Sequence, residues 1–163
     1  MTKKNLICGI SIIIFLLCSV LGQAQSKQIS KSFPVFNMQL TGGGTFSSSS
    51  VKKGEPAMII YFSPTCDHCQ NFITAIIKDI QSFKNYQIIL VTYVAINEVK
   101  KFEEDYHLDK YKNIIAGSEG TEFKVRYFYN VSTFPFTAVY NKNLTLASVY
   151  RQTPAIDQLK KLQ

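Results

Sequence analysis

Ala57-Met58-Ile59-Ile60-Tyr61-Phe62-Ser63-Pro64-Thr65-Cys66-Asp67-His68-Cys69 is the stretch on which the fold turns. Its first six residues are an unbroken apolar run of strand length, the pattern of a central strand covered on both faces. Ser63-Pro64-Thr65 ends the strand, and from Asp67 onward Phe72, Ile73, Ile76, Ile77 and Ile80 recur at helical spacing. Cys66 and Cys69 are therefore expected at a strand-to-helix junction.

Upstream, Phe33, Val35, Phe36, Met38 and Leu40 read as an extended segment that turns at Gly42-Gly43-Gly44 into Thr45-Phe46, a β-hairpin. The three glycines lack the Lys-Ser/Thr ending and the following helix of a phosphate loop. Downstream, Ile88–Val94 reads as a second buried strand, and Asn97 as the cap of a helix over Glu98–His107. Residues 110–120 suggest only a short extended piece around Tyr111 and Asn113-Ile114-Ile115. A helix is expected over Thr121–Tyr129. Phe136–Tyr140 and Leu144–Tyr150 then form a hairpin about Asn141-Lys142-Asn143, and Thr153-Pro154 opens a last helix. The order β-α-β-α-(α)-β-β-α predicts an α/β fold, a mixed central sheet flanked by helices.

The 163 residues suit one globular domain plus a short extra segment. Lys3 and Lys4 precede an apolar run from Leu6 to Leu17, and small residues follow at Gly22 and Ala24. That is the order of a secretory signal, so residues 1–24 are expected to be removed, leaving about 139 residues. An uncleaved membrane anchor is the alternative, since Leu6–Leu21 is only slightly short of a spanning helix. Lipid attachment at Cys18 is disfavoured because the bulky Leu17 precedes it. The domain proper is placed at 33–163.

The signal takes Cys8 and Cys18 with it, so Cys66 and Cys69 are the only cysteines of the exported domain. A bridge between them closes too small a loop to constrain the unfolded chain much, which points to chemistry rather than a structural staple. The formal charge of +7 falls to about +5 without Lys3 and Lys4. The lysines lie in scattered pairs such as Lys52/Lys53, Lys100/Lys101 and Lys160/Lys161, a pattern of solubility rather than of nucleic-acid binding.

Two cysteines one helical turn apart bring their sulfurs within bonding distance. Cys66, at the start of the helix, meets unpaired backbone N–H groups and the positive end of the helix dipole, which favour thiolate. It is the expected attacking sulfur, and Cys69, further in, the resolving one. His68, when protonated, would stabilise the Cys66 thiolate further, while Asp67 would oppose it.

The strand Ala57–Phe62, the Cys66-Asp67-His68-Cys69 pair and the distant Thr133-Phe134-Pro135 before a hairpin resemble the thioredoxin superfamily. The leading hairpin and a helical insertion after Val94 are most similar to its exported TlpA-like branch. The resemblance covers roughly residues 33–163. It implies a thiol–disulfide oxidoreductase without cofactor. It also implies that Pro135 is cis beside the cysteines, and that the backbone at Phe134 pairs with a partner's extended chain. Its partners would be protein thiols and disulfides of the cell envelope or periplasm and an upstream redox donor or acceptor. A membrane would take part only if the N-terminal segment is retained.

This sequence departs from the family at three places. Thr65 stands where many members have Trp. The buried acid of thioredoxins falls on Ile60, and an acid used by some TlpA-like reductants falls on Phe72, so both usual proton acceptors for the second cysteine are missing. The direction of exchange stays open: His68 pulls toward an oxidising or isomerising protein, and the TlpA-like resemblance toward a reductant, which is slightly favoured.

A zinc or copper site from Cys66, His68, Cys69 and His107 is the main rival, but His68 should point away from the face the cysteines share. Haem attachment needs His at position 70, which is Gln70. The peroxidatic pattern, with Thr three positions before the cysteine, is not reproduced by Ser63-Pro64-Thr65-Cys66.

Overall fold

The computed structural model describes residues 29–162, so the expected signal at 1–24, with Cys8 and Cys18, lies outside the described residues. Strand β3 (Ala57–Tyr61) is the axis of the molecule. It pairs in parallel with β4 (Gln87–Thr92) on one side and antiparallel with β6 (Phe136–Tyr140) on the other. The sheet runs on through β5 (Ile114–Ser118) to the hairpin β1 (Asn37–Leu40) and β2 (Thr45–Ser47), and through β6 to β7 (Leu146–Tyr150). Its order is β2-β1-β5-β4-β3-β6-β7. Every residue of β3 and of β6 is buried, as strands covered on both faces must be.

Alternation along β3 feeds two cores. Met58 and Ile60 point into one, where helix α1 (Asp67–Lys78) contributes Cys69, Phe72, Ile73 and Ile76. Helix α2 (Ile96–Asp105) adds Val99 and Phe102 there, and α4 (Ile156–Lys160) adds Leu159. Ala57, Ile59 and Tyr61 face the other core, against Phe36, Met38 and Phe46 of the hairpin and Val125 and Tyr129 of α3 (Lys124–Tyr129). At about 25 cal/mol per Å² of apolar surface, side chains as large as Phe72 or Tyr129 each contribute on the order of 2–3 kcal/mol.

The architecture expected from the sequence is present, with local differences. The insertion after Val94 is a helix followed by a strand: β5 enters the sheet between β4 and the hairpin, where only a short extended piece was expected. Gly117 explains why that strand was hard to read. A Cβ there would stand 2.6 Å from Gln39 O and 2.9 Å from Met38 Cγ, so the glycine serves close backbone approach rather than a turn. Helix α2 starts after Ala95, which places Asn97 inside the first turn instead of at the cap. The expected helix over 121–129 is split at Phe123, whose φ of 49° divides a 3-10 turn at Gly120–Glu122 from α3. Helix α4 starts after Ala155 rather than at Thr153-Pro154; the Gln158 side chain accepts the Ala155 N–H at 3.2 Å.

Among the described residues, no helix is long and apolar enough to cross a membrane.

Candidate active site

Beyond Tyr61 the chain leaves β3 through a loop closed on itself. Cys66 N–H donates to Ser63 O at 3.1 Å, and the Gln70 side chain donates to Pro64 O at 2.7 Å. Cys66 is the N-cap of α1, in extended conformation, and its sulfur takes the acceptor role that Ser or Asp fills in other helices. The Cys69 N–H donates to Cys66 Sγ at 3.4 Å. A partial positive charge is thus aimed at the sulfur from the first turn, where the helix dipole also acts.

The two cysteines differ in environment. Cys66 is half-buried, Cys69 fully buried, and both are free thiols. Burial pushes the Cys69 thiol up to about 12, and its hydrogen bond with Cys66 adds to the rise. Hydrogen bonding to the backbone at Ser63 opposes it only in part. No carboxylate figures among these influences. Ile60 and Phe72, at the positions of the missing acids, both belong to the apolar cluster that contains Cys69.

The loop before β6 completes the site from the far side. The Phe134–Pro135 bond is cis, and Phe134 O lies 3.9 Å from Cys66 Sγ, within reach of the thiol hydrogen. Arg151 ties this loop to the sheet edge, donating to Asn130 O at 3.0 Å and to Tyr129 O at 3.1 Å, while Thr133 Oγ1 donates to Arg151 O at 2.9 Å. Phe134 is half-buried, stacked on Tyr61 at 5.8 Å and on Tyr93 at 6.2 Å between ring centroids.

Cys66, Cys69, Phe134 and Pro135 are thus brought together, while His68 and Asp67 stand exposed on the first turn of α1. His107 lies past the end of α2 with φ of 52°. Among the described residues no three of His, Cys, Asp and Glu gather as a metal cluster, so the rival donor set is not assembled. Thr65 is exposed, and beside it a groove of about 570 Å³ runs between Pro64, Gln70, Phe102 and Tyr106.

The sequence reading missed one group near the site, the buried carboxylate of Glu119. It accepts the Tyr61 hydroxyl at 2.7 Å, Val125 N–H at 2.7 Å and Arg126 N–H at 3.3 Å. Phe123, the N-cap of α3, offers no capping side chain, so Glu119 supplies the acceptor that the first turn needs. Burial, and next the bond to Glu119, drive the Tyr61 phenol far above its ordinary range. The ring beneath Phe134 is therefore held as a neutral phenol bonded to Glu119, whose carboxylate also accepts from the first turn of α3. Glu119 lies five residues before α3 and beside Gly120, where an acid reads as a loop residue.

A dithiol at a helix start, facing a cis-proline at the end of a five-residue buried strand pair, invites comparison with known proteins. The AhpC/TSA family model matches residues 29–155. The chain belongs to the AhpC/TSA family. Its structural neighbours share its thioredoxin-like fold. A putative thioredoxin from Neisseria meningitidis superposes with a TM-score of 0.66 at 22% identity, covering 81% of this chain and 87% of that one. A secreted Mycobacterium tuberculosis disulfide oxidoreductase homologous to E. coli DsbE gives 0.64 at 17% identity, covering 77% and 92%. A putative protein disulfide isomerase from Bacteroides thetaiotaomicron gives 0.65 at 17% identity, covering 82% and 86%. Among curated sequences, the methylamine utilization protein MauD of Methylophilus methylotrophus is 24% identical over 93 residues. That match takes in 56% of this chain and 44% of the relative, less than half its length.

Proposed function

We propose that this AhpC/TSA family member is an exported thiol–disulfide oxidoreductase that exchanges the Cys66–Cys69 pair with protein substrates in the cell envelope. The observation that carries the reading is the position of Cys66 Sγ, between the Cys69 N–H at 3.4 Å and Phe134 O at 3.9 Å, next to cis-Pro135. The sulfur sits where a client chain laid along the Phe134 backbone would bring its own sulfur.

In the reducing direction, the Cys66 thiolate attacks one sulfur of a client disulfide, and the other client sulfur leaves as a thiolate. Cys69, after losing its proton, attacks Cys66 and expels the second client thiolate. Two electrons pass to the client, and the Cys66–Cys69 disulfide is left for an upstream dithiol to reduce. His68 tunes the exposed side of the pair. The likeness to the Mycobacterium disulfide oxidoreductase and to the putative Bacteroides protein disulfide isomerase supports the reaction class. Export is supported by the pattern of residues 1–24 and by the likeness to the secreted Mycobacterium protein.

A Cys69→Ser variant should accumulate mixed disulfides with envelope proteins, and a Cys66→Ser variant none. If Cys69→Ser traps nothing, the exchange reading is wrong. Direction is set by the reduction potential of the pair: a value above about −170 mV would replace the reductant reading with an oxidising or isomerising one.

A further inference from the structure

Four lysines far apart in sequence meet at the end of the sheet opposite the cysteines. A cavity of about 710 Å³ opens there between the loop after β2 and the starts of β4 and β5, and Lys52, Lys84, Lys112 and Lys142 line it. Glu55 is the one acidic residue in its wall. Among the described residues, none of the four lysines pairs with a carboxylate; the ion pairs present involve Lys101 and Lys160. Four unneutralised cations around one concave surface repel one another, and an arrangement of that kind is relieved by an anionic partner.

The entry of the chain says which partner. Lys31 O accepts the Leu146 N–H at 2.9 Å, and Ser32 bridges to Thr145. The adjoining turn is held by Gly54 N–H donating to Lys142 O at 2.8 Å. Ile29 and Lys31 therefore enter the domain at the lysine-bearing end. In the form that keeps its N-terminal segment, the apolar run Leu6–Leu21 joins the domain at this end and not at the cysteines. Since β3 is parallel to β4 and carries Cys66 beyond its far end, the two poles are separated by the full height of the sheet.

We propose that the lysine-lined pole is a docking surface for anionic phospholipid headgroups, so that the domain rests on the outer face of a membrane with Cys66 turned away from it. Several lysines within a Debye length of a negatively charged leaflet bind it additively and in a salt-dependent way. The cavity admits headgroup phosphates between the lysines, which a flat basic surface would not. This inference is independent of the redox reading, because no step of it involves the cysteines.

The test is an amine-labelling footprint of the full chain, read lysine by lysine by mass spectrometry. It is run with vesicles of phosphatidylcholine alone and of phosphatidylcholine mixed with phosphatidylglycerol. The readout works whether or not the N-terminal segment inserts, because both vesicle types are equally open to it. Labelling of Lys52, Lys84, Lys112 and Lys142 should fall about threefold or more on the anionic vesicles at low salt and recover at high salt. Lys100 and Lys124, away from the cavity, should label equally in both. In a Lys84→Gln, Lys112→Gln variant the protection of Lys52 and Lys142 should weaken while the circular dichroism spectrum stays unchanged. Equal labelling of the four lysines on both vesicle types would overturn the proposal. So would equal protection by soluble inorganic polyphosphate without vesicles, which would make the cavity a site for a small polyanion.

Discussion

The backbone N–H of Cys69 donates to the sulfur of Cys66 at 3.4 Å, so the second cysteine of the pair serves the first through its main chain while its own thiol is shut into the core. The two sulfurs should therefore differ sharply toward an external reagent. On brief treatment of the reduced protein with iodoacetamide near neutral pH, Cys66 should be modified at least about tenfold faster than Cys69. Peptide mapping of the singly modified protein measures the ratio. Equal modification would mean that the burial of Cys69 does not persist in solution.

The resolving step should be strongly pH-dependent. With the Cys69 thiol pushed up to about 12 and Ile60 and Phe72 at the places of an acid, little of it is thiolate at neutral pH. Resolution of a preformed mixed disulfide at Cys66 should then accelerate about tenfold per pH unit above neutrality, because burial, the largest cause of the rise, persists when Cys66 is bonded to a client. Phe72→Glu should flatten that profile and raise the neutral rate, at a cost of about 3 kcal/mol in stability for the lost apolar side chain and the buried acid. A pH-independent rate in the parent protein would show that a proton acceptor reaches Cys69 after all. The same shift has a stability sign. Folding holds Cys69 protonated, so its contribution is complete below about 9, the ordinary thiol value, and is lost as pH rises toward about 12. Denaturant melts of the reduced protein across that window should show the decline.

Glu119 links the floor of the site to helix α3. Glu119→Ala strands the buried Tyr61 hydroxyl and leaves Val125 N–H and Arg126 N–H without their acceptor, which should destabilise the domain by about 3 kcal/mol. Because Phe134 stacks on Tyr61, the variant should also slow mixed-disulfide formation at Cys66. Glu119→Gln keeps one acceptor oxygen and should lose less in urea unfolding. If Glu119→Ala melts like the parent, Glu119 is not holding this corner.

The parts legible in the sequence were those whose residues speak for themselves locally. Ala57–Phe62 is apolar throughout because both faces of β3 are covered, and Cys66 and Cys69 are spaced by one helical turn. Pro135 was reachable by resemblance, since nothing local at 133–135 says that this loop faces Cys66, 68 positions before Phe134. Glu119 was not legible, because its three partners come from β3 and from α3, and an acid beside Gly120 reads as a loop residue. The lysine pole was hidden for the same reason. Lys52, Lys84, Lys112 and Lys142 are about thirty residues apart and meet only when β3, β4, β5 and β6 align their ends. Strand β5 escaped because Ala116-Gly117-Ser118 has neither bulk nor alternation, its residues being chosen by the backbone that crosses over them.

That crossing gives the last prediction. Gly117 pairs with Leu40 across β1 and β5, and a methyl group there would meet the Gln39 carbonyl oxygen at 2.6 Å and the Met38 side chain at 2.9 Å. The Met38 thioether can swing aside; the carbonyl belongs to the paired strand and cannot move without opening the ladder. Gly117→Ala should therefore cost about 1–3 kcal/mol, and the loss should be local. Hydrogen exchange at Gln39, Leu40 and Ser118 should quicken, while amides of β3 and α1 keep the protection of the global transition. Because the hairpin lies at the sheet edge beyond β5 and β4, the alkylation ratio of Cys66 to Cys69 should be unchanged. A uniform loss of protection would instead mean that the hairpin and the cysteine-bearing half unfold as one cooperative unit.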